Sequence, residues 1–175
     1  MRKCKSNVKS KDKGFAPKSQ AKPLSPIDSW AQRLPPGTYR DTNESNIKFE
    51  ENKSKIIFEN KSRKNCIKID VDGGVIPSSE EIVRCDKLLV EKNSVSFYFV
   101  ELKGVDIPHA LAQLYSSLSI SILNPTLPNP LKKISIVVGR KDRPSSAPFF
   151  QNWVKKFRKL ESDLLIMDTP ATYQL

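Results

Sequence analysis

Short apolar runs of β-type residues begin at about Ile47, and before that point large apolar side chains are sparse. KIIFE (55–59) and CIKIDV (66–71) are rich in β-branched and aromatic residues. In the second, Ile67, Ile69 and Val71 alternate with polar neighbours, the period-2 pattern of a half-buried strand. The Gly73-Gly74 pair and Pro77 break that pattern, which leaves SSEEIVR (78–84) room for a turn of helix at most. DKLLVE (86–91) and VSFYFVELKG (95–104) follow as two apolar strands joined by Lys92-Asn93-Ser94, a connection short enough for an antiparallel hairpin.

Beyond Gly104 the period changes. Asp106 can cap a helix through IPHALAQLYSSLSISI, with Pro108 tolerated in its first turn and Ile107, Leu111, Leu114, Leu118 and Ile122 forming one apolar face. The proline-rich NPTLPNP leads to KKISIVVG (132–139), a strand. A polar loop at 140–148 leads to FFQNWVKKFRKLE, an amphipathic helix, and DLLIM (163–167) reads as the last strand. Strands followed by helix, strand, helix and strand predict a mixed α/β sheet with helical cover.

Residues 1–45 combine Lys, Ser, Pro, Asn and Gln with too little apolar surface to offset ordering entropy, so they are expected to be a basic, disordered tail preceding a domain at 46–175. Within it, SPIDSWAQRL suggests one short helical turn around Trp30 and Leu34, capped by Ser25 or Asp28 and able to dock on the domain or a partner.

Charge changes this picture less than its total suggests. Of a formal +11, residues 1–24 supply +7 through eight Lys/Arg against Asp12. Such an arm would contact phosphates without sequence preference or simply keep the chain soluble. No apolar run nears the roughly 18 residues of a membrane span, and no signal-peptide core follows the basic N-terminus, so no membrane association and a cytoplasmic address are expected. The three cysteines (Cys4, Cys66, Cys85) show no C-x-x-C spacing and have only His109 as an imidazole partner, which excludes a disulfide framework or zinc site; Cys66 and Cys85 read as reduced, half-buried thiols.

The candidate chemistry lies on the hairpin. Asp86 opens one apolar strand and Glu101-Leu102-Lys103 closes the next. Side chains two apart on a strand share a face, so Glu101 and Lys103 point one way and Leu102 the other. The hairpin can bring Asp86 beside them. Two carboxylates and an ammonium at the edge of apolar strands are costly to desolvate without compensation, and a divalent cation compensates. Magnesium, or manganese in its place, suits one or two carboxylates plus water and phosphate oxygens. Asp86, Glu101 and the Leu102 carbonyl would hold it, and Lys103 would orient the attacking water or offset negative charge developing on the phosphoryl group.

RCDKLLVEKNSVSFYFVELKG followed by DIPHALAQLYSSL resembles the PD-(D/E)XK nuclease superfamily, in which an acid on one core strand is followed by (D/E)-x-K on the next and then by a helix packed on the sheet. The resemblance covers about residues 64–140 and is nearest to short, stand-alone bacterial members. It implies a restriction-endonuclease-like mixed β-sheet flanked by helices, a magnesium- or manganese-dependent nuclease, and catalytic roles for Asp86, Glu101 and Lys103; the resemblance implies no substrate, and DNA is expected ahead of RNA. Gln113 matches a glutamine that, in RecB-like relatives, helps hold the lysine and DNA; the tyrosine found four residues later in those relatives is Ser117 here, and the usual proline before the acid is Cys85. The small size implies that a homodimer or a partner protein supplies specificity. The alternative is a non-catalytic nucleic-acid- or partner-binding module that retains the nuclease fold, and a third reading is an accessory or immunity-type protein whose basic arm contacts an acidic partner.

Further candidates carry bland readings beside functional ones. Glu80 and Glu81 could add a ligand or stay solvated, Asp70 could support the acids while Asp72 faces solvent, and His109 is expected to be exposed. Lys155, Lys156, Arg158 and Lys159 suit a solvated helix face, whereas Lys132, Lys133, Arg140, Lys141 and Arg143 suit phosphate contacts better.

Overall fold

Apolar side chains that alternate along the central strands are drawn into two cores, one on each face of a mixed sheet. In the computed structural model, residues 23–103, 106–127, 131–139 and 147–175 are described. The elements run α1 (Pro26–Ala31), β1 (Tyr39–Thr42), β2 (Asn46–Glu51), β3 (Ser54–Glu59), β4 (Cys66–Asp70), β5 (Lys87–Glu91), β6 (Ser96–Leu102), α2 (Ile107–Ser117), β7 (Lys132–Gly139), α3 (Ala147–Lys159), β8 (Ser162–Asp168) and β9 (Ala171–Gln174). A six-stranded sheet has the order β1-β4-β5-β6-β7-β8. Its pairings are antiparallel from β1 to β6 and parallel from β6 to β8, with α2 and α3 as the crossovers that parallel neighbours require. A smaller sheet, β2-β3-β9, covers the face opposite the helices.

Strand β6 shows how one sequence feeds both cores. All seven of its residues are buried, as in a central strand covered on both sides. Phe97 and Phe99 join the helix-side core with Trp30, Leu111, Leu114 and Phe157. Tyr98, Val100 and Leu102 join the opposite core with Ile47, Phe49, Ile56 and Phe58 of the small sheet. Strand alternation therefore places Glu101 on the helix side, facing the layer that contains α2.

The domain begins earlier than the sequence pattern indicates. The expected 1–45 tail is corrected for residues 26–42: α1 is capped by Ser25 and buries Ile27, Trp30 and Ala31, and β1 pairs with β4 along its whole length. Trp30 stacks against Phe97 at 5.1 Å, and its indole N–H donates to the Ile122 carbonyl. The short turn around Trp30 and its Ser25 cap are as the sequence indicated, and it docks on the domain; its partners Phe97 and Ile122 lie far away in sequence, so local composition does not name them. Most of the expected basic arm, residues 1–22, lies outside the described residues.

Other differences have local causes. Helix α2 stops at Ser117, short of Ile122, because Ser117 Oγ donates back to the Gln113 carbonyl and the Asn124 amide satisfies the Ser117 and Ile120 carbonyls. Ile122 is consequently exposed. DLLIM is not the last strand, since β9 follows and adds to the small sheet beside β3. Cys66 and Cys85 are wholly buried rather than half-buried. The Gly73-Gly74 break is a tight turn in which Gly73 has φ +69° and any Cβ on Gly74 would meet the Asp70 carbonyl oxygen at 2.2 Å. No helix among the described residues is long and apolar enough to cross a membrane.

Candidate functional site

The β5–β6 ladder ends at the pair Lys87 and Val100, and the next two positions, Asp86 and Glu101, continue it through their side chains. The Leu102 amide donates to Asp86 Oδ2 at 2.6 Å, and the Asp86 amide donates to Glu101 Oε2 at 3.2 Å. Each carboxylate thus grips the other's strand, which holds both acids at one end of the sheet. The Asp86 carbonyl accepts from the Val71 and Asp72 amides, which ties the same point to the end of β4. Leu102, meanwhile, gives its amide to Asp86 and buries its side chain in the opposite core.

Lys103 continues β6 by donating its amide to the Val138 carbonyl. Its ammonium lies 3.8 Å from Glu101 Oε1 and donates to Gln113 Oε1 at 3.2 Å. The Gln113 amide nitrogen donates in turn to the Arg84 carbonyl at 3.1 Å. Ser117, one turn later on α2, accepts from the Cys85 amide at 2.7 Å while donating to the Gln113 carbonyl. Helix α2 therefore fastens the residues just before Asp86 and the lysine just after Glu101, and the site has a rigid wall. The four expected residues Asp86, Glu101, Lys103 and Gln113 lie together in one connected network.

Burial dominates the electrostatics. Desolvation pushes the Glu101 carboxyl up to about 8; the Asp86 charge adds to the shift and Lys103 opposes it. Burial pushes Asp86 up to about 6, against the pull of the Leu102 amide. Glu101 Oε1 is buried without a hydrogen-bond partner, a costly state for a carboxylate oxygen. Hard oxygen donors with one unsatisfied, beside an ammonium at the mouth of the site, fit a small divalent cation that keeps most of its waters. Among the described residues no group of three or more His, Cys, Asp or Glu side chains is placed to hold a metal ion.

Sequence reasoning missed four contributors. Ser117 follows Gln113 by one helical turn, a spacing that could have revealed it. Arg84 is buried and donates to Asp72 at 2.8 and 2.7 Å and to the Glu80 and Ile82 carbonyls, which shapes the loop entering Asp86. Glu51 shares a β2 face with the buried Ile47 and Phe49, a period-2 pattern visible in the chain, and its charge adds to the upward shifts of Asp86 and Glu101. The β2–β3 turn reaches the site through Ser54 Oγ, which donates to the Lys103 carbonyl.

Several other candidates lie elsewhere. Asp70 is held by Lys87 at 3.1 Å, Asp72 is held by Arg84, and Glu80, Glu81 and His109 are exposed. Lys132 and Lys133 pair with Ser96 and Phe97 at the start of β6, so they lie at the far end of the sheet, roughly 20 Å of strand from Leu102 at about 3.3 Å per residue. Any phosphate that Lys132 and Lys133 meet therefore lies about that far along the sheet from Glu101 and Lys103. Lys155, Lys156, Arg158 and Lys159 are exposed near the end of α3, with Lys156 over the Trp153 ring at 4.2 Å. Arg140, Lys141 and Arg143 lie outside the described residues.

Comparison of the chain with family models, with curated proteins and with solved structures finds no match.

Proposed function

We propose that the protein is a metal-dependent nuclease of the PD-(D/E)XK kind with a restriction-endonuclease-like core, hydrolysing phosphodiester bonds in DNA in preference to RNA. The observation that carries this reading is the buried Glu101 Oε1, which accepts no hydrogen bond and has only the Lys103 ammonium at 3.8 Å, on a side chain strapped to Asp86 at the end of two central strands. A carboxylate oxygen in that state is costly unless a cation completes it.

Asp86 and Glu101 would hold a magnesium or manganese ion, with the Leu102 carbonyl as a further donor. When bound, that ion supplies a Lewis acid for the phosphoryl oxygen and a more acidic water. Lys103, held by Gln113, offsets negative charge that develops on the transferring phosphoryl group. The side chain of Lys103 is about one-third exposed, so it can meet a phosphate that arrives from solvent. Gln113 and Ser117 keep the lysine and the Asp86 approach in register, which preserves the geometry that in-line attack needs.

The test is cleavage of supercoiled plasmid and of single-stranded DNA and RNA in magnesium or manganese, comparing the natural chain with Asp86→Asn and Lys103→Ala. The expected result is cation-dependent cleavage of DNA that falls at least about a hundredfold in each variant. Cleavage that survives both substitutions would overturn the site. Binding without cleavage by every form would replace the nuclease with a binding module.

A further inference from the structure

We infer that the cavity beside β1 is a backbone-phosphate subsite, where Arg40 and Lys68 hold the nucleic-acid strand that enters the candidate site; the inference rests on the nuclease reading above. Arg40 and Lys68 face each other across the β1–β4 ladder, and opposed residues share a face. Ile67 and Ile69 point into the helix-side core, so Lys68 and Arg40 project on the small-sheet side. There the Lys68 ammonium lies over the Phe49 ring at 4.8 Å and donates to the Lys48 carbonyl of β2. Beside them a cavity of about 370 Å³ is lined by Gly37, Thr38, Tyr39, Arg40, Lys68 and Asp70.

Like charges directly opposed across a ladder repel, and an anion between them removes the cost. Among the described residues no carboxylate forms an ion pair with Arg40 or Lys68: Asp70, on the rim of the cavity, is held by Lys87 at 3.1 Å, and Glu50 is held by Lys48. Burial and the Arg40 charge hold the Lys68 ammonium below its ordinary range, against the pull of Asp70 and the exposed Glu44. A phosphodiester supplies the missing negative charge, with two oxygens for the guanidinium fork and the ammonium to share. Position links the cavity to the chemistry. Lys68 pairs with Leu89, three residues along β5 from Asp86, which is roughly 10 Å at about 3.3 Å per residue. That span is about three nucleotides of one strand at roughly 3.4 Å each. Lys87 lies between them on the face of Lys68. The two faces of the sheet meet at this end, where the charge of Glu51 on the small-sheet side reaches both Asp86 and Glu101. The strand therefore passes over Arg40 and Lys68, then Lys87, and rounds the end of the sheet to Lys103.

Binding of a short fluorescein-labelled DNA strand to the full chain, followed by anisotropy in chelator at several salt concentrations, tests the subsite. Arg40→Ala with Lys68→Met is expected to weaken binding at least about tenfold and to lower the slope of log affinity against log salt by about 1. Lys155→Ala with Lys159→Ala removes the same charge from the exposed face of α3 and is expected to leave both nearly unchanged. A footprint on the natural chain remains informative if the first variant fails to fold: bound DNA should shield Arg40 from phenylglyoxal, as peptide mass spectrometry would show. Equal weakening by the two pairs, a natural chain that binds no DNA, or an Arg40 equally reactive with and without DNA overturns the inference. Plasmid cleavage in magnesium, run in parallel, separates the subsite from the nuclease reading. Binding that depends on Arg40 and Lys68 in a protein that never cleaves supports the subsite and removes the nuclease; cation-dependent cleavage beside unchanged binding removes the subsite and keeps the nuclease.

Discussion

Glu101→Gln should make the metal-free protein more stable above neutral pH, although it removes a charged residue from the candidate site. Glu101 is 0% exposed, and its carboxyl is pushed up to about 8 from an ordinary 4.5. Between those values the folded state keeps a proton that the unfolded chain releases, so stability falls as pH rises through that interval and the full penalty is present above it. At about 1.4 kcal/mol for each pH unit of the interval, the penalty is on the order of 3–5 kcal/mol by pH 8.5, with Asp86 adding to the same trend at the lower end. Glutamine fills nearly the same volume, accepts from the Asp86 amide and does not titrate. Urea unfolding at pH 5.5, 7 and 8.5 in chelator should therefore show a midpoint that declines in the natural protein and stays nearly level in Glu101→Gln, with the curves furthest apart at pH 8.5. Added manganese should restore the natural protein at pH 8.5, by about 2.7 kcal/mol at a hundredfold excess over its dissociation constant, and leave the variant unmoved. Parallel declines in the two proteins, or a natural protein level across this range, would refute the assignment of Glu101 as a buried, cation-demanding carboxylate.

Gln113→Ala removes the acceptor for Lys103 and the donor to the Arg84 carbonyl, and should cost about 1–2 kcal/mol in urea unfolding and lower DNA cleavage more than stability alone explains; equal cleavage per folded molecule would detach Gln113 from the site. Trp30→Ala should destabilise by about 3–5 kcal/mol in the same assay, and a chain starting at residue 46 should give no cooperative unfolding transition, since both remove the cover of Phe97. Cys66 and Cys85, with thiols pushed by burial up to about 11 and about 12, should resist alkylation at pH 8 in the folded protein and react at once in denaturant, as mass spectrometry of the labelled sites would show.

Strand periodicity and a short turn located the candidate site. Because side chains alternate along an extended chain, Glu101 and Lys103 had to share a face, and the short turn after Glu91 had to return Asp86 beside them. The apolar face of α2 likewise identified the element that packs next to the site, and Asp106 marked its start. These features depend on neighbours in sequence, so the sequence contains them.

What tertiary structure decided involves partners distant in sequence. Trp30 and β1 belong to the domain because Phe97 and β4 lie where they can be covered, across a separation no local pattern records. Parallel pairing carried Lys132 and Lys133 to the end of the sheet away from Glu101, although their charge read as suited to phosphate. Glu51 and Ser54 reach the site from a hairpin on the other face, and Arg84 turns inward to shape the loop before Asp86. The sequence by itself determined which carboxylates and ammonium could converge at one strand end; packing decided that Glu101 Oε1 lies buried with no hydrogen-bond partner, because desolvation belongs to the assembled core and not to the strand that supplies the residue.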